Sequence, residues 1–244
     1  MPDFALYYVP PAEHPLYPVA SEIIGYDLRA KKLLPVENPL RARIPGFDVN
    51  WMDDPHQYGL HMTIAHAMHF QADRLGAIEA EIESIMNLFD PAKTWKITPC
   101  AGTAYIRIAP QRSCVLRYDP NQAFMMLHAL IVARLSPLST GTPQLEKFMV
   151  GQLQVPLHAQ HRLVQYYYYN LLDDFRPHFT VLGAVALEDV EPVRQAIMEI
   201  VPRPEPMTID TLCLLVRPDG EPQYHIHREF SRKDYPQTLT IMPE

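Results

Sequence analysis

The sequence predicts an α+β fold: a bilobal, pseudo-two-fold arrangement in which two antiparallel-rich sheets flank a central cleft, with helices outside. Two observations predict it. The stretches "YGLHMTIAH" (58–66) and "RPHFTVLG" (176–183) carry the same His-x-Thr pattern inside apolar runs. Each is followed by an amphipathic helical pattern and then by the pattern of a β-hairpin, so the order of elements repeats although residue identity between the halves is weak. The expected organisation is one bilobal domain over 1–244. The lobe with the first motif spans about 26–135 and the lobe with the second about 161–236, and an N-terminal strand and helix (4–25) pack across both.

The elements follow in chain order. "FALYYV" (4–9) is short, aromatic and β-branched and stops at Pro10-Pro11, where the backbone donors needed by a ladder are missing. A helix is expected around 14–25, and the Pro- and charge-rich stretch 26–57 reads as an irregular connection. After the first histidine strand, "ADRLGAIEAEIESIMNLFD" places Leu75, Ile78, Ile82, Ile85 and Phe89 on one helical face, with Asp73 in position to cap it. "AGTAYIRIA" and "SCVLRYD", joined by "PQR" (110–112), read as a hairpin, and a second helix is expected over 121–135. Residues 136–160 are rich in Pro, Ser and Thr, and "HRLVQYYYYNLL" leads to the second histidine strand. There Val190, Val193, Ile197 and Ile200 or Val201 form the next helical face, and "MTIDTLCLLVR", the turn "PDGEP" and "YHIHREF" form the last hairpin.

Composition narrows the function classes. Of 244 residues, 48% are hydrophobic and 20% charged, the balance of a globular chain able to bury a sizeable core. The 25 prolines against 9 glycines imply stiff connections. A formal charge of −7 without a basic tract argues against binding long nucleic acid through its phosphates, while leaving room for a small or terminal phosphate. Cys100, Cys114 and Cys213 show no CxxC spacing and an odd count, which fits a reducing compartment. "MPDFALYYVPP" has neither a basic n-region nor a continuous apolar h-region, and no run approaches the ~18 apolar residues of a membrane span. The expected location is cytoplasmic.

The paired motif carries the chemistry. Residues two apart in a strand share a face, so His61 projects with Thr63 and His178 with Thr180. If a two-fold axis relates the lobes, two imidazoles and two hydroxyls converge. Histidine titrates near neutrality, so one can serve as general base while its protonated partner serves as general acid. Threonine hydroxyls can donate to phosphate oxygens held between them. The set suits in-line displacement at phosphorus, and no metal or other cofactor is expected.

The motifs "HMTI" and "HFTV" resemble the paired His-x-Thr/Ser-x signatures of the two-histidine (2H) phosphoesterase superfamily, which includes the bacterial RNA 2′,3′-cyclic phosphodiesterases. The resemblance implies a bilobal α+β fold and metal-independent action. "LYYVPP", "HPLYPVASEIIGYD", "DPHQYGLHMTIAHAMHF" and "YYYYNLLDDFRPHFTVLG" look like the landmarks, in the same order, of the uncharacterised branch encoded beside phosphonate-utilisation genes. The match runs from about residue 5 to the last hairpin. It departs after Thr63, where that branch commonly has lysine and this chain has Ala65.

The remaining residues give the following expectations. Tyr58 lines the cleft near the first motif. Arg176 either clamps a phosphate or pairs with Asp173 or Asp174. Tyr166 and Tyr168 offer a stacking wall, since strand alternation lets only every second tyrosine of 166–169 face one way. Arg107, Arg117 and Arg228 sit in hairpin strands that could floor the cleft. His66 is expected on the face opposite His61. His158 with His161, and His225 with His227, match no strong zinc spacing. The leading expectation is a phosphodiesterase acting on a small phosphorylated or nucleotide-like substrate. The alternative is a non-catalytic nucleotide- or phosphometabolite-binding module in the same cleft, suggested by Ala65 and the acidic surface. Oligomeric state is not readable.

Overall fold

The strand β1 (Asp3–Tyr8) is buried at every residue, because it runs between two other strands of the sheet. Its aromatic and aliphatic side chains supply both faces of the core, and Pro10-Pro11 ends it. The computed structural model that shows this describes residues 1–90, 92–108 and 112–235. Helix α1 (Leu16–Ile24) follows and closes at Gly25, whose φ of +88° is the left-handed conformation that favours glycine at a helix end. The connection to the first motif holds only a two-stranded ribbon, β2 (Tyr26–Asp27) with β3 (Lys32–Leu33), two 3-10 turns and the short helix α2 (Pro55–Tyr58).

The first histidine strand is β4 (Met62–His69), preceded directly by His61. Helix α3 (Leu75–Leu88) buries Ile78, Ile82 and Ile85 as its spacing predicts. Asp73 does not cap it. That residue lies inside a 3-10 turn over Ala72–Arg74, which puts Arg74 at the cap position with no side-chain bond. Strand β5 (Trp95–Pro99) comes next, then β6 (Ile106–Ile108) and β7 (Cys114–Pro120), paired as the expected hairpin. Pro110 and Gln111 of its turn lie outside the described residues. Helix α4 (Gln122–Leu135) is capped by Asn121, whose side-chain oxygen accepts from the Phe124 N–H at 3.0 Å.

The Pro- and Ser/Thr-rich segment contains two helices, α5 (Pro143–Met149) and α6 (Leu157–Tyr166). Then come the second histidine strand β8 (His178–Leu182), α7 (Val190–Ile200) and the strands β9 (Met207–Ile209), β10 (Thr211–Arg217) and β11 (His225–Ser231).

The strands form two antiparallel groups, β11-β10-β1-β4 and β8-β7-β5-β9 with β6 on β7. They meet where Met62 of β4 pairs with Phe179 of β8. Each group draws strands from both sequence halves: the hairpin that follows the first motif pairs with the second motif's strand, and β10 pairs with β1 beside the first. Element order along the chain therefore does not mark off the two groups. A single large apolar cluster runs through both, from Phe4 and Leu6 through Met62 and Ile64 to Phe179, Val181 and Leu214, so the two motif strands stand on a rigid floor.

One irregularity matters for the site. Along β1 the partners run Tyr7, Leu6, Phe4, while along β4 they run Thr63, Ala65, Met68, so each step carries an extra residue on β4. These are β-bulges, and they replace strict alternation with a three-residue repeat. Thr63, His66 and His69 are half-buried while Ile64, Ala65, Ala67 and Met68 are buried.

Candidate active site

The two motif histidines are held in the same way. His61 Nδ1 lies 2.9 Å from the carbonyl of Gly59, and His178 Nδ1 lies 2.7 Å from the carbonyl of Arg176, in each case two residues upstream. A carbonyl only accepts, so each Nδ1 carries the proton and each Nε2 holds the basic lone pair. Both rings line one cleft of about 650 Å³, together with Thr63 and Thr180.

Register explains the convergence. The antiparallel pair Met62 and Phe179, continued by one residue each way, sets His61 opposite Thr180 and Thr63 opposite His178. Residues opposite one another across such a pair share a face, so each histidine has the other motif's threonine beside it. The rows extend into the neighbouring strands. His178 is paired with Arg117, and Thr180 with Val115, which is paired in turn with Arg107. Arg107 and Arg117 thus reach the cleft floor on the same face as the motif residues. Arg228 does not, because Glu79 and Glu83 of α3 hold it elsewhere.

The expected Tyr58 is in the cleft, its ring 5.4 Å from that of His61 and stacked on Tyr224 at 4.6 Å. Arg176 also lines it. Its guanidinium donates to the carbonyls of Phe175 and Asp173, whereas the carboxylates of Asp173 and Asp174 pair with Arg162, so the ion-pair alternative for Arg176 is not the one observed. Tyr168 stacks on His66 with centroids 4.8 Å apart and planes 4° from parallel. Tyr166 is not in the cleft. Helix α6 ends there and Tyr167 adopts φ +59°, so 166–169 is not a strand and alternation fails. Tyr166 packs instead beside Val132, Tyr168 and Leu171, and Tyr169 joins Tyr168 in the cleft wall.

His66 corrects the expectation from strict alternation: the bulges in β4 turn it to the same face as Thr63. Ala65 is fully buried on the core face. It does not line the cleft. Lys147 and Gln144 of α5 and Ser113 also reach the cleft. Sequence reasoning missed them because α5 was not foreseen and nothing in its composition says which wall it forms.

Electrostatics sort the lining. Arg29, Arg134, Arg162, Arg194, Arg217 and Arg228 each pair with a carboxylate. Among the described residues Arg107, Arg117, Arg176 and Lys147 form no salt bridge, although all four line the cleft, where Asp54 is the carboxylate present. Four cations and one carboxylate thus line the cleft of a chain of net charge −7, the electrostatics of an anion site. Burial pushes the His61 imidazole down to about 4, with the nearby His178 and His66 adding to the fall. Burial also lowers His178, with Arg117 adding to the fall, and pushes His66 down to about 4, with Lys147 adding. At neutral pH both motif rings are neutral and offer Nε2 as a base.

Of the histidines weighed as metal pairs, three are each tied to one carboxylate: His158 to Asp174, His225 to Glu221 and His227 to Glu79. Among the described residues no group of three or more His, Cys, Asp or Glu side chains comes together as a metal site. Nor is any helix among them long and apolar enough to cross a membrane.

No protein-family model matches the chain, and no curated protein matches it. Solved structures similar to it include a phosphoesterase, 13% identical over 95% of this chain and 98% of that one, with a TM-score of 0.41. E. coli LigT complexed with NADP+ is 14% identical over the same shares, with a TM-score of 0.43. E. coli LigT in apo form is 13% identical, again over 95% and 98%, with a TM-score of 0.40.

Proposed function

We propose that the protein is a metal-independent phosphodiesterase that hydrolyses a cyclic phosphate or a related small phosphodiester. His61 and His178 act as the general acid–base pair, and Thr63 and Thr180 bind the phosphate. The observation that carries this reading is the matched pair of Nδ1–H bonds to the carbonyls of Gly59 and Arg176, which frees both Nε2 atoms in one cationic cleft.

In the forward reaction one Nε2 takes a proton from water as the water oxygen attacks phosphorus. The other, protonated, gives its proton to the leaving oxygen as the P–O bond breaks. The threonine hydroxyls and the unpaired guanidiniums stabilise charge on the non-bridging oxygens. The depressed basicity of both rings supports the same scheme, because an anionic phosphate raises it and recruits the proton that the acid needs.

The aromatic pair His66 and Tyr168 and the small extent of the basic surface favour a small, ring-bearing substrate over a polymer. A link to phosphonate metabolism rests on the sequence landmarks alone. The experiment is product release from a panel of 2′,3′-cyclic nucleotides and ribose cyclic phosphates with EDTA present. Turnover that vanishes in His178→Ala supports the proposal, and full activity in that variant ends it.

A further inference from the structure

We propose that Asp3 is a positioning residue for His61, acting through Arg217, Tyr224 and α2; this rests on the reading of His61 as one of the acid–base pair. Asp3 is 1% exposed and far from solvent for a carboxylate. One of its oxygens bonds the His69 ring, and the other receives the Arg217 guanidinium and, at 3.2 Å, the Tyr224 hydroxyl. A charge held that deep persists only when its partners are fixed, so it fixes them in return.

Both of the partners on its second oxygen grip α2. Arg217 donates to the Gln57 side chain at 3.3 Å, and the Tyr224 N–H donates to the Gln57 carbonyl at 2.8 Å. The Arg217 guanidinium sits 5.0 Å over the Tyr224 ring, and that ring stacks on Tyr58, the last residue of the helix. The next residue is Gly59, with φ +66°; a Cβ there would stand 2.8 Å from the Leu28 Cβ. Its carbonyl is the acceptor that holds His61 Nδ1–H. The chain of contact thus runs from a buried carboxylate, through a clamped helix, to the bond that sets the tautomer and aim of His61.

The groups that face His61 itself are different ones. Tyr7 stacks on its ring at 4.0 Å, Tyr58 lies at 5.4 Å, and His178 and, further along β4, His66 act on its charge. Asp3 reaches none of the reacting atoms. Its charge acts on His66 but is not among the causes that shift His61, so its effect on His61 is geometric, and it is specific to one of the two motif histidines, because His178 hangs from the carbonyl of the exposed Arg176.

The experiment follows both imidazoles by NMR in folded wild type, Asp3→Asn and Tyr224→Phe, together with kcat and KM on a substrate found in the panel. Tyr224→Phe keeps the ring and removes the hydroxyl that bonds Asp3 and interacts with Tyr58, so it serves if Asp3→Asn does not fold. The expected result is a mixed tautomer and a shifted titration at His61, with His178 unchanged. kcat should fall about tenfold to a hundredfold in Asp3→Asn, and less in Tyr224→Phe, while KM stays within about twofold. A wild-type tautomer and titration at His61 in the folded variants overturns the inference, whatever happens to melting temperature. Absence of wild-type turnover would count against the phosphodiesterase reading instead, and leaves the NMR comparison to decide this one.

Discussion

Met62 and Phe179 are paired across β4 and β8, and this one pair sets His61 opposite Thr180 and Thr63 opposite His178. The two imidazoles and the two hydroxyls are thereby interleaved. Each histidine has for a neighbour the threonine of the other motif, so a phosphate held by both hydroxyls is held between both imidazoles.

Interleaving predicts that the threonines act on catalysis rather than on binding alone. Thr63→Val and Thr180→Val keep the β-branched shape and remove one hydroxyl each. Each should lower kcat/KM by about tenfold to a hundredfold, the loss of one hydrogen bond to a charged group. Kinetics of the two single variants and of the double variant check this. A loss confined to KM would show that the hydroxyls bind ground state and transition state equally.

Among the described residues Arg107, Arg117, Arg176 and Lys147 form no salt bridge and face a single carboxylate, Asp54, in the cleft lining, so they should govern anion affinity. Arg117→Gln leaves the strand pairing with His178 intact and removes one unpaired charge. Sulfate or product binding should weaken by roughly one to two kcal/mol, and the salt dependence of binding should become shallower. Arg228→Gln, which breaks ion pairs to Glu79 and Glu83 outside the cleft, should leave anion affinity unchanged.

A proton should enter with the anion. Burial holds His61 at about 4 and depresses His178 as well, so both are neutral at pH 7. A bound anion stabilises the imidazolium and raises its basicity. Calorimetry of sulfate binding at pH 7 in buffers of different ionisation enthalpy should show net proton uptake approaching one. Uptake of none would contradict the acid–base scheme.

Acid should destabilise the fold through histidines that are buried neutral. His128 is fully buried, gives its Nδ1–H to the Ile64 carbonyl at 2.8 Å, and is pushed down to about 4 by burial. A folded basicity below the ordinary 6.5 means that the unfolded chain binds the extra proton first. Stability present above pH 6.5 is then lost as pH falls towards 4, by roughly 3 kcal/mol from this residue. Denaturant midpoints at pH 7.5 and 4.5 should differ less for His128→Asn, which retains a donor towards Ile64, than for the wild type.

Much of this was legible in the sequence, and the failures have physical causes. The motif strands, α3, α4 and both hairpins were readable because apolar periodicity and turn residues are local signals. That His61, Thr63, His178 and Thr180 line one cleft was readable because the motif repeats. His66 was misplaced because a bulge is a property of the pairing between β4 and β1, invisible to alternation within β4. Tyr166 was misplaced because a helix ends at it where a strand was expected, and Lys147 was missed with the short helix that carries it. The interleaving of sequence halves in the sheet lay out of reach for the same reason: it is set by long-range pairing.

The most direct test of the central claim is hydrolysis of one cyclic phosphodiester, in EDTA, by wild type, His61→Ala and His178→Ala side by side under single-turnover conditions. Both variants should lose on the order of a hundredfold to ten-thousandfold in rate, the usual contribution of a positioned acid or base. Either variant turning over at the wild-type rate would contradict the assignment of His61 and His178 as the acid–base pair.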